Sequence, residues 1–345
     1  MNKYLVLKGY CGLGDRLYTL LAAIKYAKDT NRILSVDWAD WIYGTEKKNV
    51  FFDYFQLKNI PYTVNPKEIE ENAQTYYPKI WKGKLLNTAL NEMYTFGFPV
   101  NLSKVRGLYW LERNVGGKLS RLVKYWKYIG LNNSHYKHGG SDWNAIKSIF
   151  SSKDMSYGRY LSKSIKSDVL VYADSVPPLE GMNINDYVFL EQTLQDRIDD
   201  FVKENKLFDK TVGVHVRNTD LVPSKDVGDF VKALKKFMKD KGYKKVFLAT
   251  DSKEVELLFE KEIGNIIKYP KELIANNKEG LHHICQNRSS SDKLSTHLAE
   301  SIIDMWLLSK CEFLFYQGNS SFSGVSRMLK DNESQCIDWL NWEVL

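Results

Sequence analysis

The sequence is short of the residues that build disulfides and metal centres. Its four cysteines, Cys11, Cys285, Cys311 and Cys336, include no C-x-x-C pair, and its six histidines show no metal-ligand spacing. That usage excludes a disulfide framework and a structural zinc site, and fits a reduced protein. No apolar run is long enough to span a bilayer. The opening residues, MNKYLVLKGYCGLGDRL, go straight into a strand-like run. They carry no signal-peptide hydrophobic region with a small-residue cleavage site, so residence in the cytosol is the expectation. Internal repeats and low-complexity tracts are absent. Negative charge is missing from one region in particular. From Lys104 to His138, eight Lys and Arg stand against Glu112 alone, interleaved with Tyr109, Trp110, Tyr125, Trp126, Tyr128 and Tyr136. Such a patch is either the solvated face of an irregular insertion or an attractor for anions. The anions would be a lipid-linked or polyanionic substrate, or the inner face of a membrane. No nucleic-acid recognition motif accompanies it, which argues against nucleic acid as a partner.

What is present reads as an α/β protein. At 345 residues the chain is long enough for two domains. Tyr4 to Lys8 predicts a strand and GYCGLGDR a glycine-rich turn. Leu17, Leu20, Leu21, Ile24 and Ala27 recur at helical spacing, predicting a helix over 14–29, and Ile33 to Asp37 predicts a second strand. That is a βαβ unit, which implies a parallel sheet. Residues 38–185 are poorly periodic and read as helices and loops decorating the first domain. Regularity returns near 187. Helices are predicted over 191–205, 229–241, 253–262, 294–309 and 322–330. Strands are predicted over 211–217, 245–250, 266–269 and 312–316. The alternation is that of a doubly wound sheet. Pro177, Pro178 and Gly181 interrupt the chain, so the domains are expected at 1–186 and 187–345.

Chemistry gathers at the carboxyl ends of these strands, where doubly wound sheets hold their ligands. The first strand delivers Gly12, Gly14, Asp15 and Arg16. The strand at 211 delivers Arg217, Asn218, Thr219 and Asp220, with His215 two residues back on the same face as Arg217. The strand at 245 delivers Asp251. The strand at 312 delivers Gly318, Asn319, Ser320, Ser321 and Phe322 just before a helix. Glycines, hydroxyls and helix N-termini offer backbone N–H donors to an anion. An arginine adds fixed charge with bidentate geometry. Together they describe a phosphate or diphosphate site. Taken singly, each has a plainer reading: a tight βα turn for the glycines, a helix cap for the serines, a core imidazole for His215 and a surface carboxylate for Asp304. Arg217 resists that treatment, because an arginine closing a buried strand needs an anionic partner. No Asp-x-Asp occurs to hold a divalent ion on a diphosphate. Arg217 and the helix ends would have to neutralise it instead.

The ordered set of motifs resembles one family. YCGLGDRL followed by a helix and TNRILSVDW is similar to the N-terminal motif of the NodZ-type α1,6-fucosyltransferases. VHVRNTD resembles the H-x-R-R-T-D motif of that superfamily, which includes the α1,2- and protein O-fucosyltransferases. LATDS and ESIIDMWLLSKCEFLFYQGNSSFS match the next two motifs in order and spacing. The resemblance covers residues 3–40 and 187–330. It implies a GT-B architecture, two Rossmann-like domains facing a cleft. It further implies GDP-fucose as donor, inversion at the anomeric carbon, a glycan acceptor, no metal and no other cofactor. By position, Arg217 would grip the β-phosphate, His215 and Asp304 would hold the nucleoside, and Ser320 and Ser321 would contact the diphosphate. The GLGDR loop would close over it. Asn218 stands where the family motif has a second arginine. Lys225 stands where the α1,6 enzymes place a glutamate base. Asp226 is therefore the first candidate for the base and Asp220 the second. NSSFS also resembles the α1,2 branch, so linkage stays open between α1,6 and α1,2. Transfer from another nucleotide sugar, and nucleotide or carbohydrate binding without catalysis, are the competing readings.

Overall fold

In the computed structural model of the chain, the described residues are 2–9, 11–39, 48–77, 81–85, 165–173, 176–271 and 291–343, with positions 43, 161, 163 and 273; residues 291–295 are described by backbone alone. The basic segment 104–138 lies outside the described residues. Among them, no helix is long and apolar enough to cross a membrane.

The chain opens as the sequence predicts. β1 (Tyr4–Lys8) leads through the glycine turn into α1 (Leu13–Thr30) and returns as β2 (Ile33–Asp37), parallel to β1. Then follow α2 (Phe51–Tyr54), β3 (Phe55–Leu57), α3 (Pro66–Asn72), β4 (Tyr76–Tyr77) and β5 (Val169–Tyr172). The first sheet has the order β2-β1-β5-β4 and is parallel throughout. This corrects the expectation that 38–185 holds only helices and loops, since β5 sits beside β1 near the middle of the sheet. VLVY is apolar without alternation because both its faces are covered. Leu170 and Tyr172 enter one core, Val169 and Val171 another. Parallel strands covered on both sides carry no period-2 signal.

β6 (Val188–Leu190) pairs antiparallel with β3. The second sheet is built from β7 (Thr211–Val216), β8 (Lys245–Thr250), β9 (Ile266–Ile267), β10 (Phe313–Tyr316) and β11 (Cys336–Asp338). Its order is β11-β10-β7-β8-β9, again all parallel. The helices are α4 (Gln192–Asn205), α5 (Val227–Lys241), α6 (Lys253–Glu262), α7 (Ser291–Lys310) and α8 (Ser321–Met328). Their predicted extents agree within three residues at each end, while β11 was not foreseen.

Each element follows from its residues. Val212, Val214 and Val216 pack with Phe230, Val231, Leu234 and Met238 of α5. The opposite face of β7 carries Gly213 and His215. A Cβ on Gly213 would stand 3.1 Å from the Cys311 side chain and 3.2 Å from the Leu308 carbonyl. Glycine there lets α7 lie close to the sheet. α7 itself is apolar nearly all round, with Leu298, Ile302, Ile303, Met305, Leu307 and Leu308 fully buried, as befits a helix enclosed by its neighbours.

Candidate functional site

Some of the helices are capped at their start by a side chain, α3 by Asn65 among them, and others are not. Glu191, Asp226 and Ser252 accept backbone N–H bonds at the starts of α4, α5 and α6. Gly12 and Ser320, which precede α1 and α8, make no side-chain cap bond. Those two uncapped ends meet. A Cβ on Gly14 would fall 2.4 Å from the Ser321 carbonyl carbon and 2.6 Å from the Phe322 nitrogen. The Ser321 hydroxyl donates to Asp15 Oδ2 at 3.2 Å. The glycine loop of the first sheet therefore touches the serine segment of the second. Two positive helix ends converge on one place, an arrangement that favours an anion.

Arg217 stands just beyond β7. Its backbone N–H donates to Oε1 of the buried Gln317 at 2.8 Å, tying β7 to the end of β10. Two of its guanidinium nitrogens donate to Asp220, Nε to Oδ1 at 2.8 Å and Nη2 to Oδ2 at 2.7 Å. Asp251 Oδ2 lies 3.9 Å away. A bidentate carboxylate has the fork geometry of a phosphate, so Asp220 occupies the guanidinium much as a diphosphate oxygen pair would. Asp251 shapes the loop as well, accepting from the Asn218 N–H at 2.9 Å and the Thr219 hydroxyl at 2.6 Å.

Around this loop lie buried polar atoms with no hydrogen-bond partner among the described residues: His215 Nδ1, Asp304 Oδ1 and Ser320 Oγ. An unpaired buried polar atom costs roughly 1–3 kcal/mol. The His215 ring stacks on Phe322, centroids 4.9 Å apart. Burial, reinforced by the charges of Arg217 and Lys271, pushes its pKa down to about 3, so the imidazole is neutral near pH 7. Asp304 is buried on α7, not on the surface, and its second oxygen pairs with Lys271. Burial raises its pKa and the lysine opposes the rise.

The remaining predicted residues are placed as follows. Arg16 is buried; its Nε donates to the Cys11 carbonyl at 3.0 Å, and its guanidinium lies 5.2 Å from the Trp38 ring and 4.6 Å from that of Tyr43. It braces the glycine loop. Asp226 caps α5, its Oδ1 accepting from the Asp229 N–H at 2.9 Å. Lys225 donates to the Trp342 carbonyl. The structure thus brings together Gly12, Gly14, Asp15, Arg217, Asp220, His215, Asp251, Ser320, Ser321 and Phe322, with Asp304 joined through Lys271. Lys271, Gln317 and Asp338 escaped the sequence reading. Asp338 Oδ1 accepts from the Gly318 N–H at 2.8 Å, and its only signal was a strand too short to recognise. Lys271 had the signal of lying just past β9, at the carboxyl edge where ligands gather.

No protein-family model and no curated protein matches the sequence. Solved structures do. NodZ α1,6-fucosyltransferase soaked with GDP-fucose matches with a TM-score of 0.57 at 17% identity, over 96% of this chain and 93% of that one. Fucosyltransferase NodZ from Bradyrhizobium gives 0.57 at 17%, over 96% and 94%. The apo form of POFUT1 gives 0.50 at 14%, over 97% of both chains. The likeness is one of fold. The GT-B architecture expected from the motifs is the architecture of this chain.

Proposed function

We propose that this protein transfers fucose from GDP-fucose to a hydroxyl of a glycan or lipid-linked glycan, with inversion and without a metal, forming an α1,6 linkage. One observation carries the reading. Two uncapped helix N-termini and Arg217 converge beside buried, unpartnered polar atoms of His215, Asp304 and Ser320. The helix ends, Arg217 and Ser320 suit a diphosphate, and His215 and Asp304 suit a nucleoside. The NodZ neighbours, one soaked with GDP-fucose and one co-crystallised with GDP, support the choice of nucleotide.

The acceptor oxygen attacks the anomeric carbon as the bond from that carbon to the β-phosphate oxygen breaks. GDP leaves with the bonding pair, and the hydroxyl proton passes to a carboxylate. Arg217 exchanges Asp220 for the β-phosphate and meets charge that grows as the bond breaks, where fixed charge lowers the barrier most. His215, held neutral, offers the nucleoside a hydrogen-bonding ring without adding charge. The base comes from the 217–226 loop, Asp226 first and Asp220 second. The correct carboxylate, changed to Asn, should lose roughly 10²–10⁴ in turnover while GDP affinity holds. Loss of GDP affinity instead would mark a loop-shaping role.

Turnover of GDP-fucose on a glycan array, with linkage analysis of the product, tests the proposal. Arg217→Ala should lower kcat by roughly 10²–10³, and a chelator should change nothing. Wild-type turnover by Arg217→Ala, or abolition of activity by the chelator, would contradict it.

A further inference from the structure

Asp304 and Lys271 form a buried donor–acceptor pair at the carboxyl edge of the second sheet. Asp304 lies on α7, which packs across β7 and β8. Lys271 follows β9, the neighbour of β8 in the sheet. Their side chains are 3% and 16% exposed, so neither charge is left to bulk water. Lys271 engages Oδ2, while Oδ1 has no partner among the described residues. The same lysine's charge reaches His215, whose Nδ1 is likewise unpartnered. A pair that served only to tie residue 271 to α7 would not account for a second buried oxygen, nor for a buried imidazole nitrogen, without a partner among the described residues.

Resting on the nucleotide reading above, we propose that Lys271 determines base specificity. Its Nζ donates to the ring carbonyl of an oxopurine while Asp304 Oδ1 accepts from the adjoining ring N–H. An ammonium has only donors and a carboxylate only acceptors. Side by side, they match a C=O next to an N–H. Adenine presents the reverse, an amino group next to a bare ring nitrogen, so both contacts would be donor on donor and acceptor on acceptor. Mismatched polar contacts in a buried site discriminate strongly. Burial raises the Asp304 pKa, and the contact with Lys271 opposes that rise.

Calorimetric titration of the full chain with GDP, IDP, ADP and 6-thio-GDP tests this. IDP keeps the carbonyl and ring N–H but lacks the 2-amino group; 6-thio-GDP replaces the carbonyl oxygen with a poor acceptor. The wild type should bind GDP and IDP within about 10-fold of one another. ADP should bind about 100-fold or more weaker, and 6-thio-GDP about 10-fold weaker. Lys271→Met should bring the GDP/ADP preference below about 10, and Lys271→Arg, which keeps the donor, should retain it. If the wild type binds GDP but Lys271→Met keeps its preference, or 6-thio-GDP binds as well as GDP, Lys271 does not read the base and the nucleotide site stands without it. If the wild type binds none of the four, both readings fall. The 6-thio-GDP comparison needs no variant, so it decides the matter even if Lys271→Met does not fold.

Discussion

At the scale of single residues, the second sheet holds ionisable groups away from water in states that matter for stability. His215 is 6% exposed, and its pKa falls from an ordinary 6.5 to about 3. Above pH 6.5 neither the folded nor the unfolded chain carries a proton there, and the group is silent. Below it the unfolded chain takes up a proton that the folded chain refuses, so stability falls as pH drops from about 6.5 toward 3. One differential proton is worth about 1.4 kcal/mol per pH unit. His215→Gln, which cannot charge, should therefore lose about 2 kcal/mol less than the wild type between about pH 6.5 and 5. Urea melts at the two pH values check this; parallel losses would mean that the imidazole is not desolvated. Arg217 and His215 were legible because the alternation of VHVR puts a cation and an imidazole at the end of an otherwise apolar strand. Lys271 was not. One lysine after a two-residue strand has no pattern, and its partner Asp304 lies 33 positions away.

At the scale of elements, α1 and α8 cross at two glycines, and the two crossings differ. At Gly324 an added Cβ would meet the Tyr18 hydroxyl oxygen at 2.0 Å, and the ring carbon bearing it at 3.3 Å. The obstruction is the end of one buried side chain, whose pKa burial pushes up to about 12. At Gly14 the obstruction is backbone, the Ser321 carbonyl carbon and oxygen at 2.4 and 2.5 Å. Overpacking of this kind costs about 1–3 kcal/mol. Gly324→Ala should destabilise by that amount, and Tyr18→Phe in the same chain should restore most of it. Gly14→Ala should destabilise at least as much and gain nothing from Tyr18→Phe. Thermal melts of the three variants decide. Equal rescue of both would mean that the crossing is looser than the structure shows. The glycine turn itself was plain in the sequence. Its partner was not, because contact between residues 14 and 321 follows from how the two sheets dock, which no local pattern records. β5 was hidden for a related reason: buried on both faces, it has no alternation to betray it, and it follows a long aperiodic stretch.

At the scale of the whole molecule, two parallel sheets present their glycine and serine turns to each other, and the proposed anion site needs both. The motifs made this arrangement legible in order, while its geometry depends on the docking of α1 against α8. A structure of the GDP complex tests it most directly. The diphosphate should lie within hydrogen-bond reach of the Arg217 guanidinium and the N–H groups of Ser321 and Phe322, with Asp220 displaced from Arg217. A diphosphate bound elsewhere, with the Arg217–Asp220 pair intact, would contradict it.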